Sequence, residues 1–562
     1  MSRTKALAAL GALALSACGS GSLSSSQGGT DTASLSSDGI FGPVISDSQD
    51  VDEVELPLNP DPYELKPASS GGSLSYEIFP RSFFDADGSC DGVGDLAGIA
   101  AKASYLHDLG IGRVWLTPIH PSPSYHGYDV TDYYAIHYEL GTMGDFQNMV
   151  KRLKEQGIEV MLDLVINHTS NKHPWFLQSA RDFEQGLTGA SSKANWYLWS
   201  KEPKGPNYRP YGNGLYYEGD FGSEMPDLNL DEPAVRQEIV KIMTFYLEKG
   251  VKGFRLDAVK YYYNAATASN VSFCDFLKDS LQDSFPAAEF VGEAYEDGET
   301  SWYPYWRSKL DSFFSFPTSI TGSSGANFIT AAKGLVSGDA FARHIAGQEK
   351  RIKEGNPAHY SSYFISNHDQ NRPAGISLDG EAAKLASSLA YLLPGTPYIY
   401  YGEEIGLRGS RGQEPTDVMR RLPMIWGKAE KTGETACPDL AYETLYRAFD
   451  QIKEGVAELS GQKTSLLRHY RKVANVRNRI PFLKTASFEA VETKIRQLVA
   501  YKVSDGEKTY LIVTNLGGHS RLYPLPSGAK EIFDSIDASG KKPAIDGGKL
   551  GLGGYSTAVI SL

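Results

Sequence analysis

From Ser73 to about residue 480 the chain repeats one phrase of apolar and polar positions. An amphipathic helical run is followed by Gly, then by a short continuous apolar run, then by a polar end. The helix around Ile99 to Leu109 stops at Gly110, and Val114-Trp115-Leu116-Thr117-Pro118 follows. Phe146, Met149, Val150 and Leu153 share one helical face, the run stops at Gly157, and Val160 to Ile166 comes next. A third helix begins at Asp231 with Pro233 in its first turn. It runs through Val235, Ile239, Ile242 and Leu247, stops at Gly250 and feeds Gly253 to Val259. Pro inside a helix start and Gly past its end are the expected punctuation. Strands apolar on both faces are buried on both faces, which means a parallel sheet.

Such runs occur near Tyr76-Phe79, Val114-Thr117, Val160-Ile166, Gly253-Asp257, Phe290-Glu293, Ser312-Phe316, Ser362-Ser366 and Tyr398-Tyr401. They predict an α/β fold, a (β/α)8 TIM barrel with its site at the C-terminal strand ends. The rhythm breaks over 169–227, a stretch rich in Trp, Tyr, Gly and Asn, which reads as a small domain inserted after the third strand. After about Ile480 the runs Leu498-Val503, Thr509-Val513 and Ser556-Ile560 read as antiparallel strands of a C-terminal β-sandwich. The expected partition is a barrel over 73–168 and 228–480, an insert over 169–227 and a sandwich over 481–562.

Four polar clusters fall on predicted strand ends. Strand three ends Asp163-Leu164-Val165-Ile166-Asn167-His168. Strand four carries Arg255 and Asp257, which face the same side because side chains at i and i+2 do so. Strand five ends Val291-Gly292-Glu293-Ala294, and strand seven ends Ser366-Asn367-His368-Asp369. Buried charges are costly unless paired, so a rim of this kind points to chemistry. No Gly-rich phosphate loop accompanies it, and no Ser-His-Asp order stands out. Several carboxylates around a cleft suit glycosyl transfer, which needs a nucleophile and a proton donor.

In this order the four clusters, with Met225-Pro226-Asp227-Leu228-Asn229 as a fifth, resemble the conserved regions of the α-amylase family of retaining glycoside hydrolases. The resemblance covers roughly 73–562. The form of the fifth region is similar to a subgroup intermediate between oligo-1,6-glucosidases and neopullulanases. By that resemblance Asp257 is the nucleophile, Glu293 the acid and then the base, and Asp369 grips sugar hydroxyls. Two roles require two pKa values, so Glu293 is expected to be raised by neighbouring anions and Asp257 kept ionised by Arg255. His168 and His368 would hydrogen-bond the sugar at the reacting subsite, and Tyr128 would stack on it. Trp175, Trp196, Trp199, Tyr216 and Tyr217 in the insert are candidate sugar platforms, although packing is the commoner fate of such rings.

The resemblance implies hydrolysis of α-1,4-glucans or maltooligosaccharides. Lys260 matches a substrate contact of amylases, but the His that usually follows it is Tyr261 here. Asp129, after Tyr128, matches an Asp that binds the non-reducing end in exo-acting relatives, together with an Arg matched by Arg421 in Arg421-Leu422-Pro423-Met424-Ile425-Trp426. The readings are therefore an endo-acting α-amylase, an exo-acting α-glucosidase or glucanotransferase, and a non-catalytic glycan-binding lipoprotein. The last is disfavoured because both Asp257 and Glu293 are present.

Asp87-Gly88-Ser89-Cys90-Asp91-Gly92-Val93-Gly94-Asp95 places oxygen donors at alternate positions, as an EF-hand-like loop does. The family carries a Ca2+ loop here, with a backbone carbonyl at the position of Val93. Ser89 is a poorer ligand than the residues usual there, and Asp85 could replace it. Asn167 matches a ligand of a different Ca2+ site in many α-amylases.

A net charge of −13 argues against nucleic acid. Arg3 and Lys5, then the apolar run Ala6–Leu15, form an export signal over 1–18. It ends Leu15-Ser16-Ala17-Cys18-Gly19, which resembles a bacterial lipobox with Cys18 as the lipidated residue. Residues 19–72, rich in Ser, Gly and acidic groups, read as a flexible tether. An exported protein is expected, a monomer held at the cell or outer membrane by that anchor alone. Apart from Cys18, Cys90, Cys274 and Cys437 allow at most one disulfide.

Overall fold

The apolar runs pair side by side in chain order. In the computed structural model, Ser75–Ile78, Arg113–Leu116, Glu159–Leu164, Gly253–Leu256, Glu289–Gly292 and Ser312–Phe313 form parallel neighbours, and Tyr398–Tyr400 pairs back onto the first. The seventh position is held by two parallel bridges, Phe314 to Ser362 and Phe364 to Tyr398, which close the barrel without a regular strand. Trp115, Met161, Val291, Phe314, Phe364 and Tyr398 fill the interior. The start of the fourth strand must be Gly, because a Cβ on Gly253 would lie 1.8 Å from the Glu289 carbonyl oxygen. The structure describes residues 54–68, 73–89, 91–264, 266–375, 378, 380–412, 414, 416–428 and 433–562.

The helices sit where their caps put them. Thr142 and Asp145 form a capping box at the start of Met143–Glu155, and Gly157 leaves in the left-handed region at φ +73°. The third helix is Pro233–Leu247, and its N-cap is Glu232 rather than Asp231. The Glu232 carboxylate accepts the Ala234 N–H at 3.3 Å, while Asp231 turns to Tyr263 and Arg236.

After the third strand the chain builds the helix Pro174–Glu184 and a three-stranded antiparallel sheet, Trp199–Ser200, Tyr208–Gly212 and Leu215–Glu218. Phe176 stacks on Trp199 at 5.2 Å and meets Tyr217 edge-on at 4.9 Å. At the C-terminus a five-stranded and a three-stranded antiparallel sheet make the sandwich. Leu498, Leu511, Val513, Leu550, Leu552 and Ile560 pack together in its core.

Asp534, on the sandwich strand Glu531–Ile536, reaches the last barrel helix, Leu466–Asn478. Its buried carboxylate takes Lys472 at 2.8 Å, Lys66 at 3.3 Å and the Arg479 guanidinium. Burial pushes this carboxyl up, but the Lys472 ammonium beside it and a backbone N–H hold it below the usual range.

The segment 54–68 is not the free tether expected. Tyr63 is fully buried against His469, Leu58 bridges to Lys541, and Lys66 N–H donates to Asn475 at 3.0 Å. Leu56 and Tyr63 supply the apolar area that the Ser- and Gly-rich part of the chain lacks. The export signal, Cys18, the rest of the tether and Cys90 lie outside the described residues. Cys274 and Cys437 are both buried and unbonded. Among the described residues no helix is long and apolar enough to cross a membrane.

Removing the Asp534 charge would strand Lys472 in a buried site, which costs about 3–5 kcal/mol for such pairs. Asp534→Asn should therefore lower the thermal unfolding midpoint clearly at pH 7. Because the folded carboxyl is depressed, its contribution is present above its unfolded pKa of about 3.9 and is lost as pH falls through the folded value. The gap between the wild type and Asp534→Asn should narrow below pH 4. Equal midpoints at pH 7 would show that the contact does not hold the two elements together.

Candidate active site

The third, fourth and fifth strands each end in a carboxylate, and one cation binds all three. Arg255 is 1% exposed. Its Nη1 donates to Asp163 at 2.8 and 3.0 Å and to Asp257 at 2.5 Å, and its Nη2 lies 3.0 Å from Glu293. The guanidinium also lies 5.1 Å from the Trp115 ring centre, at the floor of the barrel interior. After Asp257 the chain turns through Ala258 in the left-handed region, φ +52°, which an alanine seldom adopts. That turn aims the Ala258 N–H at Glu293, with a 3.0 Å hydrogen bond. The fourth strand thus fixes Glu293 through both a side chain and the backbone.

Burial pushes the Asp257 carboxyl up; Arg255 opposes this and Glu293 adds to it, and the net direction is upward. Arg255 does act to keep Asp257 ionised, as expected, but the same guanidinium serves all three carboxylates and burial outweighs its share at Asp257. Burial likewise pushes Asp163 up to about 7, against the pull of Arg255.

The seventh-strand cluster faces this group across Tyr128. Tyr128 stacks on the His368 ring at 5.5 Å, donates to Asp163 at 3.1 Å and lies 2.6 Å from His368 Nε2. Asp369 takes His368 Nε2 at 3.0 Å and Arg421 Nη2 at 2.8 Å. Burial pushes its carboxyl up, but His368, Arg421 and Arg255 together hold it well below the usual range. Burial lowers the His168 ring to about 4, so it is neutral near pH 7.

A cleft of about 810 Å³ opens over this group, with Asp163 and His368 buried behind its wall, so that His368 meets Tyr128 and Asp369 rather than the open cleft. Tyr128, His168, Asp257, Lys260, Glu293, Asp369 and Arg421 all reach its wall. Arg255 is not on the wall; it lies behind the carboxylates and orients them. Lys260 pairs with Glu296 at 2.9 Å. Asp129 does not line the cleft. It is buried, and the Ser122 and Ser124 hydroxyls both donate to its Oδ1, Ser122 at 2.6 Å. The match to an end-binding Asp is therefore corrected by a local serine clamp.

The five aromatic candidates of the insert are absent from the cleft wall. Trp196, Trp199 and Tyr217 are buried in the insert's own core, and Trp175 stacks on Tyr133 at 5.5 Å. Other rings take the position. Phe221, 42% exposed, sits between His168 at 5.1 Å and Tyr261 at 4.8 Å, and Tyr295, 37% exposed, backs onto Phe316 at 4.4 Å. Tyr125 and His126 complete the opposite side. Tyr295 could have been found as the aromatic two residues past Glu293; Phe221 carries no local signal. Glu77, buried on the first strand and bonded to His368 Nδ1 at 2.6 Å, was signalled only as a charge within an otherwise apolar run.

At the loop of alternating oxygens, Asp85, Asp87 and Asp95 bring carboxylate oxygens within 4.8 Å of one another, the one such acidic group among the described residues. Burial pushes both Asp85 and Asp95 up. Asp91 is not part of that group. Ser89 Oγ accepts the Asp91 N–H, and Asp91 accepts the Val93 N–H at 2.8 Å, contacts that shape the loop. Asn167 is held through its side-chain nitrogen, not through the oxygen that a cation would use. Its amide donates to Asp227 at 3.1 Å and lies 3.3 Å from His168 Nδ1, which joins the insert to the third strand.

The alpha amylase catalytic-domain family matches residues 77–486. Alpha-amylase 3 of Dictyoglomus thermophilum is 36% identical over 506 residues, which cover 87% of this chain and 93% of that protein. An oligo-1,6-glucosidase of Parageobacillus thermoglucosidasius is 28% identical, with 81% of this chain and 91% of that protein covered. The solved structure of Eubacterium rectale Amy13B superposes with a TM-score of 0.79 at 31% identity, covering 88% of this chain and 97% of that one. With the barrel, the insert and the carboxylate rim already in place, these matches show that the chain belongs to the α-amylase family of glycoside hydrolases.

Proposed function

We propose that this enzyme is an endo-acting α-amylase that cleaves α-1,4-glucosidic bonds of starch or maltooligosaccharides with retention. The observation that carries the endo reading is Asp129. The carboxylate that would close a pocket around a chain end is clamped by Ser122 and Ser124 and stays off the wall of an open cleft. Exposed rings on the cleft, Phe221 and Tyr295, are suited to stacking on sugars beyond the bond that breaks. Similarity to alpha-amylase 3 supports the same reading. Exo action, as in the oligo-1,6-glucosidase relative, is the second reading, kept because Arg421 does reach the cleft.

In this mechanism Asp257 attacks the anomeric carbon while Glu293 gives its proton to the leaving oxygen. Water then attacks C1 as Glu293 takes its proton, so that an O–C1 bond forms while the C1–Asp257 ester bond breaks and Asp257 leaves as a carboxylate. Arg255 holds both carboxylates in register and spreads positive charge behind them. Asp369, fixed by His368 and Arg421, accepts from sugar hydroxyls, and neutral His168 bonds the same ring.

The carboxylates of Asp85, Asp87 and Asp95 suit a hard divalent cation such as Ca2+, which would relieve the repulsion among them. Such an ion would brace the loop between the first strand and the first helix, remote from the bond-making steps. We propose, from the resemblance of Leu15-Ser16-Ala17-Cys18 to a lipobox, that the enzyme is exported and anchored through Cys18.

A chromogenic maltoheptaoside blocked at its non-reducing end should be cleaved internally by the wild type and left intact by Asp257→Asn. Glucose released only from unblocked chains would favour exo action instead. Glu293→Gln should lose about 10²–10⁴-fold on starch, the usual weight of a general acid, but much less on a substrate with an activated leaving group. Equal losses on both would remove Glu293 from the acid role. A chelator should lower the thermal unfolding midpoint, and added Ca2+ should restore it; no shift would overturn the cation site.

A further inference from the structure

Both nitrogens of the His368 ring face acidic oxygens. Nδ1 is 2.6 Å from Glu77 Oε1, and Nε2 is 3.0 Å from Asp369 Oδ2. The His368 backbone N–H also donates to Glu77 Oε1, at 3.2 Å. An ionised carboxylate can only accept, so Nδ1 needs an N–H toward Glu77. At Nε2 the closest atom is the Tyr128 hydroxyl at 2.6 Å, whose own proton goes to Asp163, so Nε2 too needs an N–H toward that oxygen and Asp369. A neutral imidazole carries one N–H and would leave a lone pair facing either the buried Glu77 carboxylate or the Asp369 carboxylate at the cleft wall. Only the imidazolium satisfies both sides.

We propose that Glu77 is a positioning residue that holds His368 as a doubly protonated ring and, through it, keeps Asp369 ionised and oriented for substrate. The inference rests on the reading of this cleft as a site of glycosyl transfer.

The surroundings agree with it. Glu77 lies on the first barrel strand, 1% exposed, and holds His368 Nδ1, while Nε2 meets Tyr128 and Asp369. Burial lowers the basicity of the ring, but Asp369 and Glu77 outweigh it and raise His368 to about 10. The other charged and titratable neighbours are set one step away. Asp163 acts through the Tyr128 hydroxyl. Arg255 faces Tyr128 at 5.9 Å. Arg421 donates to the His368 carbonyl at 3.1 Å, and Tyr400 adjoins Glu77. A buried cation with no second anion would cost more than the site could bear, so Glu77 is what makes a charged histidine stable under the sugar. A neutral group at position 77 would keep the shape and lose the charge.

The first test reads the ring directly. In protein labelled with 15N-histidine, with His368→Gln to assign its signals, both ring nitrogens of His368 should remain imidazolium-like at pH 8. In Glu77→Gln the ring should titrate to the neutral form at least about one pH unit lower than in the wild type. The second test uses a maltosyl substrate with an activated leaving group, so that kcat/KM no longer needs the Glu293 proton. On it, the alkaline limb of Glu77→Gln should fall at least about one unit below that of the wild type, with losses smallest near pH 5. A neutral His368 in the wild type at pH 8, or pH profiles that differ only by a constant factor, would overturn the proposal. If the protein cleaves no glucan, the functional reading fails, while the ring titration still decides the role of Glu77.

Discussion

One buried guanidinium organises this molecule. Taking Arg255 out of water has a large desolvation cost, and isolated in the barrel it would be ruinous. Three carboxylates from three successive strands offset that cost, and each needs the arginine as much as it needs them. Removing Arg255 would leave three carboxylates facing one another in an apolar tube lined by Trp115 and Val291. The result is a set of acidic groups that cannot drift apart, which is what a reaction with a nucleophile and a proton donor requires. Their field exists before substrate arrives, so no reorganisation is needed during the chemistry.

A second network leans on the first through Tyr128. Its ring stacks on His368 and its hydroxyl touches both sides, Asp163 on one and His368 on the other. Glu77, His368, Asp369 and Arg421 alternate in charge from the first strand to the cleft wall. The outer parts of the fold serve this centre. The insert contributes Phe221 to the cleft, Asn167 ties that insert to the third strand through Asp227, and Asp534 fastens the sandwich to the last barrel helix. The function proposed here depends less on any one of these residues than on the cleft remaining open where Asp129 has been drawn aside.

The linear pattern was enough for the barrel, because a strand buried on both faces has no choice of composition and a helix end has few choices of cap. Seven of the eight anticipated strands form regular ladders, and the eighth survives as the bridges at Ser362 and Phe364. Asp163, Arg255, Asp257, Glu293, His368 and Asp369 were legible for a related reason: charges at the end of an apolar run must be paired, and the spacing says which side they face. The sequence could not say that Arg255 serves three acids at once, or that burial would outweigh it at Asp257. Both depend on distances between strands far apart in the chain.

Tertiary structure alone decided the rest. Asp129 and Arg421 look like partners along the chain, but two serine hydroxyls a few residues away claim Asp129 first. Asp91 has the chemistry of a ligand, yet the carboxylates that come together at its loop are those of Asp85, Asp87 and Asp95. Trp196, Trp199 and Tyr217 were the conspicuous rings, yet the insert needed them for its own core, and the less conspicuous Phe221 and Tyr295 meet the cleft. Leu56 and Tyr63 turned part of an apparent tether into packed structure. The order of apolar and polar positions along the chain determined its fold class and its acidic rim, since those follow from burial and pairing rules that act locally. Which donors remain free for a ligand is settled only when every competing partner has been brought within hydrogen-bond distance, and that is a property of the folded whole.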